Sequence, residues 1–343
     1  MLPSQVSDFG QRTFWDTFHD ELSAAGFEWY LDFADLLPVL ETHTTIATGS
    51  PWPLLDLGCG NSTICAELAR HQGVSSLCLD FAPVGLAQIQ QTFAQDHAAA
   101  ARKSEGMPSP AFVDLCLADA LRLPLRPGLA ELALDKGLFD AMMDVDDDEH
   151  RQRALALFRG VARLLAPGGK LALVTLAQNH VLALLRATVR AATMVGGGGE
   201  GEGGEAPPGL QPCWFSSLTV FACRPKKSAS PLLPFVFLFE RSSTSTHGSN
   251  TGRTDGSAAT EPRIFYQDQP LDPASRRDCG SWDHGWAELV AEMSSRQINF
   301  KAEHEELQQR EADVKAKAAM AATATTAPPL RPSKPRTCSW CSS

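Results

Sequence analysis

Short apolar runs alternate with longer amphipathic stretches from residue 54 to residue 194. Leu54, Leu55 and Leu57 are apolar on both faces, which predicts a central strand covered by helices on each side. The run breaks into Gly58-Cys59-Gly60. A helix follows with Ile64, Cys65 and Leu68 on its apolar face, opened by Asn61 or Ser62 and closed by Gly73. The next run, 77–79, ends in Asp80, and Pro83 starts a helix with Val84, Leu86, Ala87, Ile89 and Phe93 along one side. Further strands are predicted for 112–118, ending at Asp119, for 132–135, followed by Lys136 and Gly137, and for 171–174. A helix running to Leu165 precedes the last of these and stops at Pro167-Gly168-Gly169, and another occupies 181–194.

Strand alternating with helix indicates an α/β fold with a doubly wound, mostly parallel sheet. The apolar runs 214–223 and 232–240 close it as an antiparallel edge pair, for seven strands in all. A Gly/Glu/Pro tract at 195–212 has too little apolar content to fold and reads as a flexible insertion. The Ser/Thr/Gly stretch 242–262 reads as a linker, which sets one domain at 1–241 and a helical or disordered tail at 263–343. Within the tail, Trp286, Met293, Phe300, Leu307 and Val314 recur every seven residues. The partner positions Val290, Gln297, His304 and Glu311 do not sustain a coiled-coil seam, so a lone, largely solvated helix is expected.

A formal charge of -10, with no basic stripe, argues against a nucleic-acid partner and fits a basic protein surface better. Cys65, Cys78 and Cys116 fall inside predicted elements as small core hydrophobes, a usage that suggests a reducing, cytoplasmic setting. The start of the chain lacks a basic region with an apolar core, and the longest apolar run, 232–239, is short and holds Pro234. Neither a signal peptide nor a membrane span is expected. Cys338 and Cys341 have the spacing of half a zinc site with no second pair, and no metal is expected.

The chemistry concentrates at the carboxyl ends of the predicted strands. Gly58 and Gly60 remove side chains where the backbone turns sharply and a ligand approaches closely. The third position of a dinucleotide fingerprint is Thr63 rather than glycine, which favours S-adenosylmethionine, a ligand with no phosphate to seat. Asp80 suits a ribose diol and Asp119 an adenine amino group. No nucleophile is needed for methyl transfer, and no catalytic residue is assigned. An acid such as Asp135 or Asp140 could relay an amine's proton to water, although Asp140 reads first as a surface acid of a helix. The aromatic segment 9–33 is either a helix on the sheet edge or a lid over the ligand. Asp144 and residues 146–149 read as first-turn charge on a helix, with a docking patch as the alternative.

Phe9-Gly10, Trp15, Phe27-Glu28-Trp29-Tyr30, Gly58-Cys59-Gly60-Asn61-Ser62, Leu134-Asp135-Lys136-Gly137 and Leu176-Ala177-Gln178 together resemble one family. It is the class I S-adenosylmethionine-dependent methyltransferases, with a Rossmann-like fold, and within them the group that modifies eukaryotic elongation factor 1-alpha. The resemblance implies Gly58 and Gly60 against the methionyl part, Asp80 on the ribose, Phe81 near the adenine, and Asp119 with Ala120 at the adenine edge. It implies that Trp15, Trp29 and Lys136 close over the cofactor, and that a lysine or the amino terminus of elongation factor 1-alpha accepts the methyl group. Phe18 and His19 stand where relatives tend to carry an aromatic hydroxyl. The family includes proteins with two methyltransferase domains, of which one is visible here. A small-molecule methyltransferase and a non-catalytic cofactor-binding protein are the alternatives.

Overall fold

The computed structural model describes residues 9–22, 28–44, 52–101, 111–194, 214–225, 231–243 and 262–325. The expected insertion at 195–212, most of the expected linker, and Cys338 with Cys341 lie outside them. The first five strands are β1 (Leu54–Leu57), β2 (Ser76–Asp80), β3 (Val113–Leu117), β4 (Ala130–Lys136) and β5 (Leu165–Thr175). β1 is buried along its whole length and pairs in parallel with β2 on one side and β4 on the other. β3 extends the sheet beyond β2, and β5 extends it beyond β4, again in parallel. The strand order therefore switches direction between β1 and β4, which opens a crevice at their carboxyl ends.

Helix α1 (Arg12–Leu22) packs on α4 (Pro83–Ala101) near that crevice. With α4, helices α2 (Phe33–His43) and α3 (Ile64–Gln72) cover one face of the sheet, where Leu36, Val39, Ile64, Leu68 and Ile89 meet Leu54, Leu132 and Val174. The short α5 (Leu138–Met142) follows β4. On the other face, α6 (Asp148–Leu164) and α7 (Asn179–Met194) bury Leu157, Phe158, Val161 and Leu184 against Leu55, Leu57 and Leu173. Asp147 caps α6 by accepting from the His150 amide at 2.9 Å. Asp144 pairs with His150 at 2.7 Å, Asp146 and Asp148 with Arg151 at 2.8 and 3.0 Å, and Glu149 with Arg153 at 2.6 Å. The acidic run is answered within its own helix, which favours a helix-stabilising role over a docking patch.

The sheet has nine strands, in the order β3-β2-β1-β4-β5-β7-β6-β8-β9, where the sequence led us to expect seven. β6 (Phe215–Ala222) and β7 (Phe235–Arg241) pair antiparallel as anticipated, with β7 against β5. They do not end the sheet. β8 (Arg263–Gln267) pairs in parallel with β6, and β9 (Arg276–Ser281) forms the antiparallel edge. Both come from the stretch assigned to the tail. β8 alternates, with Ile264 and Tyr266 buried, but is short. β9 reads Arg-Arg-Asp-Cys-Gly-Ser, whose backbone pairing leaves no apolar trace except Cys279. Helix α8 (Trp282–Thr325) then lays Trp282, Trp286, Leu289 and Met293 on the core at helical spacing. Each such side chain contributes about 1.5–3 kcal/mol of apolar burial. The sheet and its core thus extend past Arg241, the boundary expected from composition. Farther along α8, Leu307 and Val314 are exposed, as a solvated helix requires. Among the described residues no helix is long and apolar enough to cross a membrane.

Candidate functional site

A cavity of about 510 Å³ opens at the crevice between β1 and β4. Gly58 and Gly60 form its floor in left-handed conformation, at φ +61° and +54°. A Cβ on Gly58 would lie 2.7 Å from Leu138 Cδ1, and one on Gly60 would lie 2.9 Å from His19 Cε1, so neither position has room for a side chain. Asp80 ends β2 almost fully buried. Its Oδ2 accepts from the Gly60 amide and its Oδ1 from the Ala82 amide, both at 2.8 Å, and this locks the carboxylate against the glycine turn. Burial raises the Asp80 pKa above the ordinary carboxylate range, and these amide bonds hold it back down.

Phe81 follows at the cavity wall, and Asp119 with Ala120 lines the side below β3. Asp119 accepts from the Leu121 amide at 2.9 Å and caps the 3-10 turn Ala120–Arg122. Trp15 and Trp29 close the opposite side. The Trp15 indole donates to the Phe9 carbonyl at 2.7 Å, its ring stacks on His19 at 5.8 Å, and Trp29 stacks on Phe18 at 5.7 Å. The aromatic segment therefore bounds the cavity, and its helix α1 packs on α4 rather than on a sheet edge. Lys136 lines the cavity at the end of β4.

Glu28 was quoted in a motif but given no role by sequence reasoning. Its carboxylate accepts from the Thr63 amide at 2.7 Å, from Thr63 Oγ1 at 2.8 Å and from Ser62 Oγ at 3.0 Å. Thr63 is the N-cap of α3 and makes no side-chain cap bond of its own; the Ser62 hydroxyl accepts from the Ile64 amide at 3.4 Å, as expected of it, and a carboxylate from a distant segment takes the Thr63 amide. Glu28 Oε2 also lies 2.9 Å from Lys136 Nζ, which donates to the Trp29 carbonyl at 3.2 Å. The Lys136 ammonium is thus held by the aromatic segment, a placement the motif did not foretell. The signal was available in the pairing of an acid at Glu28 with a buried-strand lysine, but only the fold brings them together.

Three further carboxylates are near the cavity, with Asp140 lining it and Asp56 and Asp135 behind the lining. Asp56 and Asp135 are almost fully buried, and burial pushes them up to about 7 and about 8. Asp135 accepts from the Phe139 amide at the start of α5 at 3.1 Å, and it is not among the residues that line the cavity. Burial raises Asp140 as well. Cys65 donates to Asp56 Oδ2 at 3.4 Å, and Cys78 lies within 4.8 Å of both, so thiol and acid satisfy each other under the glycine turn. Burial pushes the Cys59 thiol up to about 12, in keeping with core cysteines. Cys59, Cys65, Cys78, Cys116, Cys223 and Cys279 are all unbridged.

The arrangement favours a cation. A concentration of acids around one lysine disfavours phosphates, and the N-terminus of α3, where a pyrophosphate would sit, is already filled by Glu28. A sulfonium ligand with a ribose fits this floor.

Comparison with known proteins agrees. Residues 55–173 match the family described as "Methyltransferase domain". An eEF1A lysine and N-terminal methyltransferase from Danio rerio is 30% identical over 184 residues, covering 54% of this chain and 24% of the relative. The Homo sapiens protein of that name is 26% identical over 182 residues, covering 53% and 24%. The EEF1A lysine methyltransferase 4 of Mus musculus is 27% identical over 186 residues, covering 52% and 66%. The matched stretch spans about a quarter of the length of the first two relatives. Among solved structures, a TehB-like SAM-dependent methyltransferase from Corynebacterium glutamicum is 15% identical with a TM-score of 0.40, covering 67% of this chain and 97% of that one. Over residues 55–173 the chain thus matches a methyltransferase domain, and S-adenosylmethionine is the cofactor of that domain.

Proposed function

From a methyltransferase domain over residues 55–173, we propose that the chain is a protein N-methyltransferase acting on a lysine or the amino terminus of elongation factor 1-alpha. The observation that carries the cofactor side is Glu28 bound at the α3 N-terminus, with Asp80 held against the glycine turn, which disfavours a pyrophosphate there and favours a cationic, ribose-bearing ligand. The acceptor identity rests on the names of the relatives and on the resemblance carried by the aromatic segment 9–33.

In this reading the cofactor supplies an activated methyl group on a sulfonium. Gly58 and Gly60 let the backbone approach its methionyl part, Asp80 accepts from the ribose hydroxyls, Phe81 covers the adenine, and Asp119 with Ala120 meets the adenine edge. Trp15 and Trp29 exclude water and offer aromatic faces to cationic groups. Glu28 and Lys136 fasten that aromatic wall to the sheet. The chain's contribution to the reaction is alignment and desolvation, worth several powers of ten when the acceptor is held in near-attack geometry.

The test is to incubate the full chain with labelled S-adenosylmethionine and recombinant elongation factor 1-alpha, then to map methyl groups by mass spectrometry, with Gly58→Arg as the inactive control. Methyl groups on a lysine or the amino-terminal amine support the proposal. Label found only in small molecules of a lysate would reassign the chain to metabolite methylation.

A further inference from the structure

A second polar cluster in the cavity wall is built around Asp140. Thr175 Oγ1 donates to its Oδ1 at 2.5 Å, and the Leu176 amide and the Tyr30 hydroxyl donate to its Oδ2, each at 3.0 Å. The Thr175 hydroxyl in turn accepts from the Ala177 amide at 2.9 Å, which fixes the direction of its proton toward Asp140. With an acceptor-only carboxylate before it, Tyr30 must place its phenolic proton on Asp140. The lone pairs on the Tyr30 oxygen are left over, and Tyr30 lines the cavity.

The fold accepts strain to achieve this. Tyr30 and Ala177 are the two non-glycine residues at positive φ among those described, at +61° and +52°, and both flank Asp140. Side-chain-bearing residues seldom adopt that conformation, and its clustering points to a functional constraint. Gly137 completes the seat: a Cβ there would lie 3.1 Å from the Tyr30 ring, so the ring rests directly on backbone. Trp29 meets Tyr30 edge to face, with ring centroids 6.0 Å apart.

We propose that the Tyr30 hydroxyl oxygen receives an N–H of the acceptor amine and aims its lone pair, with Asp140 as the positioning residue that sets the direction of the Tyr30 proton. The inference rests on the N-methyltransferase reading above. In the step it serves, the amine nitrogen forms the new C–N bond as the C–S bond breaks, the bonding pair stays on sulfur, and the ammonium proton passes to water. Each methyl group added replaces an N–H that the Tyr30 oxygen can hold. The hydroxyl therefore favours amines carrying few methyl groups, and its removal relaxes that preference.

The experiment compares the full chain with Tyr30→Phe and Asp140→Asn, using unmethylated and monomethylated forms of the acceptor found in the labelled-cofactor assay. S-adenosylhomocysteine affinity and thermal unfolding are measured in parallel. Tyr30→Phe is expected to bind S-adenosylhomocysteine within about twofold of the parent while kcat on the unmethylated acceptor falls roughly 10- to 100-fold. Its products are expected to shift toward higher methylation states. Asp140→Asn is expected to lose kcat likewise, since its amide would donate to the Tyr30 oxygen and occupy the lone pair. Unchanged kcat and product distribution in Tyr30→Phe would overturn the proposal, as would a loss of homocysteine-ligand affinity that matches the loss of rate. An unsubstituted chain that methylates no amine removes the reading beneath it as well, an outcome distinct from either.

Discussion

Lys136 Nζ lies 2.9 Å from Glu28 Oε2, with only 6% of the lysine side chain and 17% of the glutamate exposed. The pair joins residues more than a hundred positions apart and bolts the aromatic wall of the cavity to the end of β4.

Breaking one side of this pair leaves a buried charge without its partner, which costs about 3–5 kcal/mol. Glu28→Ala should lower the urea midpoint by a corresponding amount and also weaken S-adenosylhomocysteine binding, because the α3 N-terminus loses its cap together with the wall. The double variant Glu28→Gln with Lys136→Met should regain part of the stability. Equilibrium denaturation of the parent, Glu28→Ala, Glu28→Gln, Lys136→Met and the double variant checks this, and a double variant equal to the sum of its two singles would show the pair to be uncoupled.

Asp80→Ala removes both the locked carboxylate and the expected contact to the ribose. A charge-assisted hydrogen bond of that kind is worth roughly 1.5–3 kcal/mol. Calorimetry with S-adenosylhomocysteine should show a Kd raised by about one to two powers of ten, and an unchanged Kd would take Asp80 out of the cofactor site.

Asp135 and Asp56 have folded-state pKa values raised to about 8 and about 7, above those of the unfolded chain. Between the unfolded value near 4 and these folded values, the folded protein binds more protons than the unfolded one. Their favourable contribution is therefore complete in acid and is lost as pH rises toward 8. Thermal unfolding should show stability declining from pH 6 to pH 8.5, and Asp135→Asn, which keeps the acceptor for the Phe139 amide, should flatten that decline. A slope unaltered by the substitution would mean that Asp135 does not titrate in this range.

Cutting the chain after Ser243 would remove β8, β9 and α8, and with them Ile264, Tyr266, Trp282, Trp286, Leu289 and Met293 from the core. The shortened chain should be insoluble or partly unfolded, because the backbone edge of β6 and an apolar face are laid bare. Cutting after Glu306 should instead leave the fold intact, since Leu307 and Val314 are exposed. Circular dichroism and size-exclusion chromatography of both truncations decide the matter.

The parallel half of the fold was legible because its strands are short, largely apolar runs, with Gly58, Asp80 and Asp119 at or just past the ends of β1, β2 and β3, and because amphipathic stretches separate them. Gly58, Gly60, Asp80, Asp119 and Lys136 share one cavity for that reason: strand ends in a doubly wound sheet converge at the switch in strand order. The far half was legible only as far as β7. Arg276 and Arg277 carry no apolar period, and the pairing of β9 is made by backbone groups that composition does not record. The part-buried, hydrogen-bonded placement of Glu28 and Asp140 was hidden for another reason. Their partners, Thr63 and Lys136 for one, Tyr30 and Thr175 for the other, lie far away in sequence, so no local spacing announces them.

A sheet nine strands wide must still stop somewhere, and it stops at β9. The last strand presents Arg276, Arg277 and Asp278 to solvent, with the Arg276 guanidinium laid over the Phe265 ring at 3.8 Å. Another chain adding itself along this border would have to strip water from those charges, and Gly280, at φ +105°, departs from the extended line such an addition needs. The border that sequence patterning overlooked for want of hydrophobic residues discourages strand addition at that edge for the same want.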